Sequence, residues 1–538
     1  MFSFFSDKPY TQKSIWYLLL IAFVLLFGNN WVSLWDQDES AYAGFAKHML
    51  ESGNWLMPEF IWSEVHRKPP LHFWNIAISY KIFGINEFAV RFPSAVFILL
   101  TIAAVFFLGK RLFGEKQSFY GMVVLSSSFL VMALAKISVT DATLLFFTSI
   151  CGFAMLYVLL FREFKWVLVF WISFALALLT KGPPVIIFTA VLSFLLFVFH
   201  PNRKQLLRLH PWFFLPLSAM PLFLWGWMCT QEEGGQEFIS WMIDWYILKR
   251  VGGSVFGQTG PPGTHLLGMA LFFLPYLLFF PKAIYKGVIN LFGKEKDQHF
   301  LLSAWFISAW LIFEFSPSKL PAYVVAAHVP LALIIARLAI DLKENRPGKV
   351  VQALHFGLNF ILLLALAIAP FILELSNALK IIFLLGSLAF IIANVFLVNA
   401  IKKAVFVKYL LSINVAFQLV LWCLFLPFAD ELKNATLRVA QYIEQSADQR
   451  AEVIIANKTA KPPSLPFYLM QRFEKVSEEY DFAALEEMYN KAAPCALVLN
   501  HSLKDQFEAK YPNLNFKEVK PLPTDKIKQP SYFILLNH

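Results

Sequence analysis

The sequence predicts an α-helical membrane protein with many spans and a small α/β domain at its C-terminal end. Of its 538 residues, 58% are hydrophobic and only 15% are charged, whereas soluble domains are about 25% charged. Long apolar segments recur as far as residue 428. This pattern excludes an ordinary soluble protein. Basic loops on one side of a membrane explain the net charge of +10 better than nucleic-acid binding does.

Thirteen apolar segments are candidate membrane spans, for which about 20 residues are needed. They lie near 14–34, 88–108, 118–135, 141–160, 166–180, 184–199, 211–229, 264–281, 299–315, 320–340, 350–373, 378–400 and 407–427. The first has no small-residue cleavage site before the charges that follow it, so we expect a retained signal anchor.

The loops between the spans predict the orientation of the chain. Basic loops fall on alternate connections, and this places them in the cytoplasm together with the N-terminus. These basic loops are 109–116, 162–165, 200–210, 282–296, 341–349 and 401–408. The opposite face then receives the first loop 35–87, the large loop 230–263 and everything after residue 427.

The final segment, 429–538, alternates strand-like and helix-like runs, which indicates a small α/β domain. The expected strands are 451–456, 495–500, 515–519 and 532–537, and the expected helices are 435–446, 465–473, 481–492 and 503–511. It has no glycine-rich phosphate loop, so we expect it to support the fold or dock an acceptor.

The first loop carries acidic residues directly after an apolar span. Asp36, Asp38 and Glu39 precede a run with helical spacing, which predicts a helix along the membrane surface that begins with acidic residues. Its apolar stripe consists of Tyr42, Phe45, Ala46 and Met49. The three acids could equally be a solvated helix cap. Charges placed here must face water or one another, and we interpret the loop as half of an active site.

Lysines beside prolines recur on the same face. Lys68, Lys181 and Lys319 each stand one or two residues before a proline, which stiffens the backbone that presents them. Arg91 and the pair Lys249-Arg250 add further cations, although snorkelling would explain Arg91 taken alone. Together they oppose the positive-inside bias and require an anion, for which a phosphate or pyrophosphate is the simplest candidate.

Asp141 lies where an apolar span begins. A carboxylate there is costly unless it is paired or faces a wet cavity. Helix capping by Thr140 or Asp141 is an equally good explanation. Lys136, five residues earlier, is the expected ion-pair partner.

Taken together, these motifs resemble the aminoarabinose transferase and protein O-mannosyltransferase superfamily of type C glycosyltransferases. The motifs are DESAYA, KPP about 30 residues later, RFPS, Asp141, TKGPP and SKLPAY. The resemblance covers roughly residues 14–345, and the thirteen spans with an outward soluble tail are similar to bacterial aminoarabinose transferases. It implies a type C glycosyltransferase fold in a bacterial inner membrane, with a transmembrane domain 1–428 and a periplasmic domain 429–538. The implied reaction moves a sugar from polyprenyl (undecaprenyl) phosphate to an envelope lipid, protein or glycan.

The resemblance also implies roles for individual residues. Asp38 would be the general base or the organiser of the acceptor, and Asp141 the second catalytic aspartate. Asp36 is a rival to Asp38, and Lys136 stands where many relatives have arginine. The implied substrate-binding residues are Glu39, Tyr42, Lys68, Arg91, Lys136, Lys181, Arg250, Lys319 and Tyr323. No cofactor and no metal site are predicted, since Glu64, His66 and His265 form no readable ligand pattern.

Two other functions compete with glycosyl transfer. A transporter or lipid flippase would have internal repeats and charges near the bilayer midplane, whereas the charges here gather at one face and no repeat is visible. A nonenzymatic assembly scaffold would not need the clustered cations. The sequence leaves the sugar and the acceptor open. An acceptor hydroxyl would need a carboxylate base such as Asp38, and a phosphate acceptor would not.

Overall fold

Helices account for most of the chain, as the apolar segments predicted. The computed structural model describes residues 9–249, 259–342, 344–372, 376–402, 422–423, 435–456, 461–491, 493–520 and 531–537. The first helices are α1 (Tyr10–Leu26), α2 (Asp38–Ser52), α3 (Leu71–Phe83), α4 (Glu87–Phe107), α5 (Gly109–Phe113), α6 (Glu115–Leu125), α7 (Phe129–Lys136), α8 (Thr140–Phe161), α9 (Phe164–Leu178), α10 (Pro183–Phe199) and α11 (Pro211–Cys229). They are followed by α12 (Gly235–Ile243), α13 (Thr264–Phe272), α14 (Phe280–Ile289), α15 (Gln298–Phe315), α16 (His328–Ile340), α17 (Lys349–Ile372) and α18 (Asn377–Lys402). Short 3₁₀ helices cover Glu64–His66, Arg203–Leu209, Leu274–Tyr276, Asn290–Phe292 and Pro321–Ala327, and Asp244–Leu248 forms a π-helical turn.

Local sequence signals set several helix starts near the site. The Asn86 side chain accepts a hydrogen bond from the backbone N–H of Ala89 at 2.9 Å and caps α4. Gly182 precedes α10 with a φ of +68°, a conformation that glycine adopts without a steric penalty. Pro183 then occupies the first turn of α10, where its missing N–H costs nothing. The turn that presents Lys181 is therefore specified locally.

Six helical stretches in the described chain are long and apolar enough to cross a membrane, or seven if α6 and α7, which meet at a bend of 62°, form one broken span. Shorter apolar helices lie at α1, α9, α10 and the first part of α18. The segment 264–281 is not the continuous helix expected of a span but consists of α13, a 3₁₀ turn and the start of α14. Its prolines at 275 and 281 lack the N–H that a continuous helix needs. The candidate span 407–427 lies outside the described residues, apart from 422–423.

The C-terminal region forms the small α/β fold that the sequence predicted, and its sheet is mixed. Its helices are α19 (Thr436–Ser446), α20 (Ser464–Leu469), α21 (Phe482–Asn490) and α22 (His501–Lys510). Its strands are β1 (Glu452–Ala456), β2 (Val476–Glu478), β3 (Cys495–Leu499), β4 (Lys517–Val519) and β5 (Tyr532–Leu536), in the order β2-β1-β3-β5-β4. Strand β1 runs parallel to β2 and β3, whereas β5 is antiparallel to β3 and β4. The short edge strand β2 was not predicted.

The C-terminal region packs directly on the first loop. The apolar stripe of α2 is buried together with residues of α3, α19 and α20 in one hydrophobic cluster. The hydroxyl oxygen of Tyr468 accepts the backbone N–H of Leu34 at 2.7 Å, and the same hydroxyl donates to Glu87 Oε1 at 3.0 Å. Asp36 accepts both the backbone N–H and the hydroxyl of Ser464. Asp36, the rival to Asp38, therefore joins the loop to the C-terminal region.

A buried ion pair fixes the start of α2. Arg91 donates from Nε to Glu39 Oε1 at 2.8 Å and from Nη2 to Glu39 Oε2 at 2.9 Å. Its other N–H groups bind the backbone oxygens of Asn29, Val32 and Ser33. Glu39 also accepts the backbone N–H of Trp35 and that of Ser138. This one carboxylate thus ties the loop before α2, the helix α4 and the α7–α8 connection together.

Replacing Glu39 by alanine is therefore expected to destabilise the fold strongly. The substitution leaves the buried guanidinium of Arg91 without its counter-charge, a change that typically costs about 3–5 kcal/mol. Thermal unfolding of the detergent-solubilised protein should show a large drop in the midpoint. Glu163→Ala is the control, because Glu163 pairs with the exposed side chains of Arg111 and Lys165 and its loss should leave the midpoint nearly unchanged. Equal midpoints for the Glu39 variant and the unchanged protein would contradict this account of the loop.

Candidate active site

The first half of the site is built around Asp38, the first residue of α2. His66 Nδ1 lies 2.8 Å from Asp38 Oδ1, and Lys68 Nζ lies 3.5 Å from the same oxygen. Lys68 also donates to the hydroxyl of Tyr42, one turn further along α2. The side chains of His66 and Lys68 are nearly buried, whereas that of Asp38 is 50% exposed. Asp38 thus has fixed partners on one side and an open face on the other, so it is not a merely solvated cap.

The charges around Asp38 keep it ionised. Burial would raise its pKa, but the nearby Lys68 ammonium and the hydrogen bond from His66 outweigh burial and hold the pKa of Asp38 well below its usual range. The pKa of Tyr42 is raised well above its ordinary value, first by burial and then by the charge of Asp38. The carboxylate is therefore anionic at neutral pH, and Tyr42 remains a protonated phenol.

The second half of the site pairs Lys181 with Asp141. Lys181 Nζ lies 2.7 Å from Asp141 Oδ1, and it also lies 5.9 Å from the centroid of the Tyr323 ring. The three residues line a narrow cleft with a cavity volume of about 20 Å³, whose remaining wall is mostly apolar. The apolar wall comprises Leu144, Leu145, Pro184, Phe188, Ala309, Phe313, Ala322, Val325 and Ala326. The cleft thus combines the charged pair Asp141–Lys181 with an otherwise mostly apolar lining.

A backbone hydrogen bond joins the two halves. The N–H of Leu71, directly after Lys68-Pro69-Pro70, donates to the carbonyl of Leu179 at 3.1 Å, two residues before Lys181. The two lysine–proline turns are therefore neighbours. The charge of Lys181 contributes to the low pKa of Asp38, and that of Asp141 contributes to the high pKa of Tyr42. Asp38, Lys68, Asp141 and Lys181 therefore belong to one electrostatic site.

Several predicted site residues lie elsewhere. Glu39 and Arg91 are buried in their mutual ion pair, so Arg91 neither snorkels nor faces the cleft. The expected pair Lys136–Asp141 is wrong, because Lys136 Nζ donates to the carbonyl of Phe27 at 2.7 Å and to Asn29 Oδ1 at 3.0 Å. The lysine helps to hold the end of α1, and Asp141 takes Lys181 instead. Arg250 lies outside the described residues.

Lys319 is also buried, and it anchors the end of the large loop. Its ammonium donates to the backbone carbonyl of Glu314 and lies 3.9 Å from the Glu314 carboxylate. That carboxylate accepts the backbone N–H of Gly263 at 2.8 Å and the indole N–H of Trp310 at 2.6 Å. A β-bridge between Thr259 and Ser318 adds to the contact. Lys319 therefore acts on the loop that precedes α13 rather than in the cleft beside Tyr323.

Sequence reasoning missed two residues of the site. His66 contacts Asp38, and its signal was its place two residues before Lys68 in the same stiffened segment. Tyr246 donates from its hydroxyl to the carbonyl of Val65 at 3.2 Å, and its ring centroid lies 5.9 Å from Lys68 Nζ. Nothing in the sequence of the large loop distinguished Tyr246.

In the part of the chain that the structure describes, no three His, Cys, Asp or Glu side chains are grouped so as to hold a metal ion.

The sequence of this chain is similar to one family model and to several known proteins. Residues 67–227 match the family described as dolichyl-phosphate-mannose-protein mannosyltransferase. An undecaprenyl phosphate-alpha-4-amino-4-deoxy-L-arabinose arabinosyl transferase of Proteus mirabilis is 26% identical over 67% of this chain and 66% of its own length. An uncharacterized protein of Aquifex aeolicus is 30% identical over 59% of this chain and 62% of its own length. This chain thus spans slightly less than two thirds of these relatives.

The fold matches that of a solved protein. The crystal structure of ArnT from Cupriavidus metallidurans bound to undecaprenyl phosphate superposes with a TM-score of 0.72 at 18% identity, covering 97% of this chain and 98% of that one. The apo form of the same protein gives the same TM-score. This likeness extends over the helices and the C-terminal sheet together.

The geometry predicts how Asp38 responds to the loss of Lys68. A carboxyl group whose folded pKa is depressed stabilises the fold above its unfolded pKa of about 3.9, and this contribution is lost as the pH falls further. Lys68→Met removes the main lowering charge, so burial should dominate and Asp38 should protonate at a higher pH. Infrared difference spectroscopy of the carboxyl band, with Asp38→Asn to assign it, measures this shift. Lys47→Met is the control, since Lys47 pairs with Glu51. Protonation at the same pH with and without Lys68 would disprove the assignment.

Proposed function

We infer that the chain is a type C glycosyltransferase, the superfamily that its sequence predicted and that the family, relative and fold comparisons support. We propose that it moves a sugar from undecaprenyl phosphate to an envelope acceptor, with 4-amino-4-deoxy-L-arabinose as the first candidate sugar because of the named relatives; lipid A is one of the candidate acceptors. The observation that carries the proposal is that the Asp38–Lys68 pair and the Asp141–Lys181 pair influence one another electrostatically, while the second pair lines an apolar cleft.

The cleft suits the lipid-phosphate part of such a donor. A polyprenyl chain needs an apolar groove that opens to the membrane, and the residues around Phe188, Phe313 and Val325 provide apolar surface. The phosphate needs fixed cations, and the turns preceding α3 and α10 present Lys68 and Lys181 on stiff backbones. Cations in fixed positions stabilise the departing phosphate without waiting for solvent to reorganise. Asp141 would hold Lys181 in place until the phosphate arrives.

Asp38 then faces the acceptor. In the transfer step an acceptor oxygen attacks the anomeric carbon while the bond from that carbon to the phosphate oxygen breaks, and the bonding electrons leave with the phosphate. If the acceptor is a hydroxyl, its proton passes to Asp38. If it is an ionised phosphate, no proton has to move. The low pKa of Asp38 makes it a weak base, so its better role is to accept a hydrogen bond and orient the acceptor.

The proposal includes an arrangement in the membrane. We propose thirteen spans within residues 1–428, a cytoplasmic N-terminus and a periplasmic domain 429–538, in a bacterial inner membrane. The regular alternation of basic loops supports this orientation, and the packing of the C-terminal region on the loop that carries Asp38 supports a location of both on one side. A transporter would put its charges on broken helices. Here Asp38, Lys68, Asp141 and Lys181 all belong to segments outside the broken span α6–α7.

Substitutions in the site should abolish transfer while the fold survives. We expect Asp38→Asn and Lys68→Ala each to lower kcat by about 100-fold or more, the usual effect of removing one charge-stabilising group, and Lys181→Met to raise the KM for the donor. The assay uses protein in nanodiscs, undecaprenyl-phosphate-linked 4-amino-4-deoxy-L-arabinose and lipid A, with products identified by mass spectrometry. Lys165→Ala removes an exposed lysine that pairs with Glu163 and serves as the control. Normal rates in the folded Asp38 and Lys68 variants would refute the site assignment. Movement of the lipid without sugar transfer would establish a transporter instead.

A further inference from the structure

We propose that His66 is a positioning residue for Asp38, whose carboxylate it holds in the orientation that transfer requires. The inference rests on the proposed function and adds to it a residue that neither the motifs nor the comparisons assign.

The contact itself is specific. His66 Nδ1 lies 2.8 Å from Asp38 Oδ1, and the imidazole is nearly buried although its partner is half exposed. Since Asp38 is ionised, the hydrogen on Nδ1 is donated to the carboxylate. A half-exposed aspartate has several accessible rotamers, and Lys68, the second group on this oxygen, lies at 3.5 Å. The shorter bond from His66 therefore decides where the carboxylate points.

The backbone that carries His66 is held on both sides. His66 ends a 3₁₀ helix and its N–H donates to the carbonyl of Ser63 at 3.0 Å. Tyr246 binds the carbonyl of Val65, and Arg67 donates from Nε to the carbonyl of Pro58 at 3.0 Å. The segment that carries the imidazole is therefore held in place, and the hydrogen bond from His66 fixes the position of the Asp38 carboxylate.

Side chains along this segment face two ways. His66 and Lys68 point inward to Asp38, whereas Glu64 and Arg67 line an outer pocket with Lys47, His48, Glu51 and Glu59. His48 lies 3.8 Å from Glu59 in that outer pocket. His48 is therefore a second histidine of the first loop, and it belongs to the outer pocket and not to the contact with Asp38.

The first test replaces His66 by asparagine, whose side-chain N–H occupies the position of Nδ1 and can donate the same hydrogen bond. In the transfer assay described above, His66→Asn should keep kcat within about threefold of that of the unchanged protein. His48→Asn is the control and should also leave kcat nearly unchanged, because His48 pairs with Glu59.

A second variant tests the positioning role. His66→Ala removes the hydrogen bond, and we expect kcat to fall about 10- to 100-fold at all pH values, while the KM for the donor changes little because Lys68 and Lys181 remain. Thermal unfolding of each variant separates loss of function from loss of fold. Full activity of a folded His66→Ala protein, or a loss of activity in His66→Asn as large as that in His66→Ala, would overturn the inference while leaving the proposed function intact. No transfer by the unchanged protein from any undecaprenyl-phosphate sugar would refute the proposed function itself.

Discussion

The bidentate ion pair between Glu39 and Arg91 is the contact on which the arrangement of the site depends. Two charges are taken out of water here, which is tolerable only if the remaining hydrogen-bonding capacity is satisfied. The backbone groups of Trp35, Ser138 and the end of α1 meet that requirement. The chain therefore has to bring three separate segments to one point. Asp38 is the neighbour of Glu39 in sequence, so its half-exposed position follows from the burial of the adjacent acid.

The second constraint is the contact between the two lysine–proline turns. Each turn is stiff by itself, because proline fixes φ and restricts the residue before it. The bond from the Leu71 N–H to the Leu179 carbonyl then sets one turn against the other. Lys68 and Lys181 are thereby held at a fixed separation before any ligand arrives. Prior fixation of this kind lowers the entropy cost of binding a phosphate, and it explains why the lysines sit beside prolines instead of on helix faces.

The sequence predicted residue types and local elements well, and partners poorly. A helix that begins with Asp38 and Glu39 and four of the five C-terminal strands followed from spacing, and the motifs and the family resemblance named Asp38, Lys68, Lys181 and Tyr323 as site residues, whose roles stay a prediction. The sequence did not predict that Lys181 rather than Lys136 pairs with Asp141, because the cost of a buried charge is the same whichever cation neutralises it. The pairing depends on packing across 40 residues. Strand β2 escaped notice since its three residues at the sheet edge carry no hydrophobic alternation.

The shared use of Lys68 links donor binding to the chemistry of Asp38. In the free protein its ammonium lies 3.5 Å from the carboxylate and is the main charge that lowers the pKa of Asp38. With the donor bound as proposed, the phosphate draws on the same ammonium, so the positive charge felt by Asp38 is partly neutralised and the carboxylate becomes a better acceptor of hydrogen bonds and protons. As the phosphate departs it gains negative charge, and this effect grows along the reaction. A carboxylate that is a weak base at rest thus gains basicity only when the donor is in place.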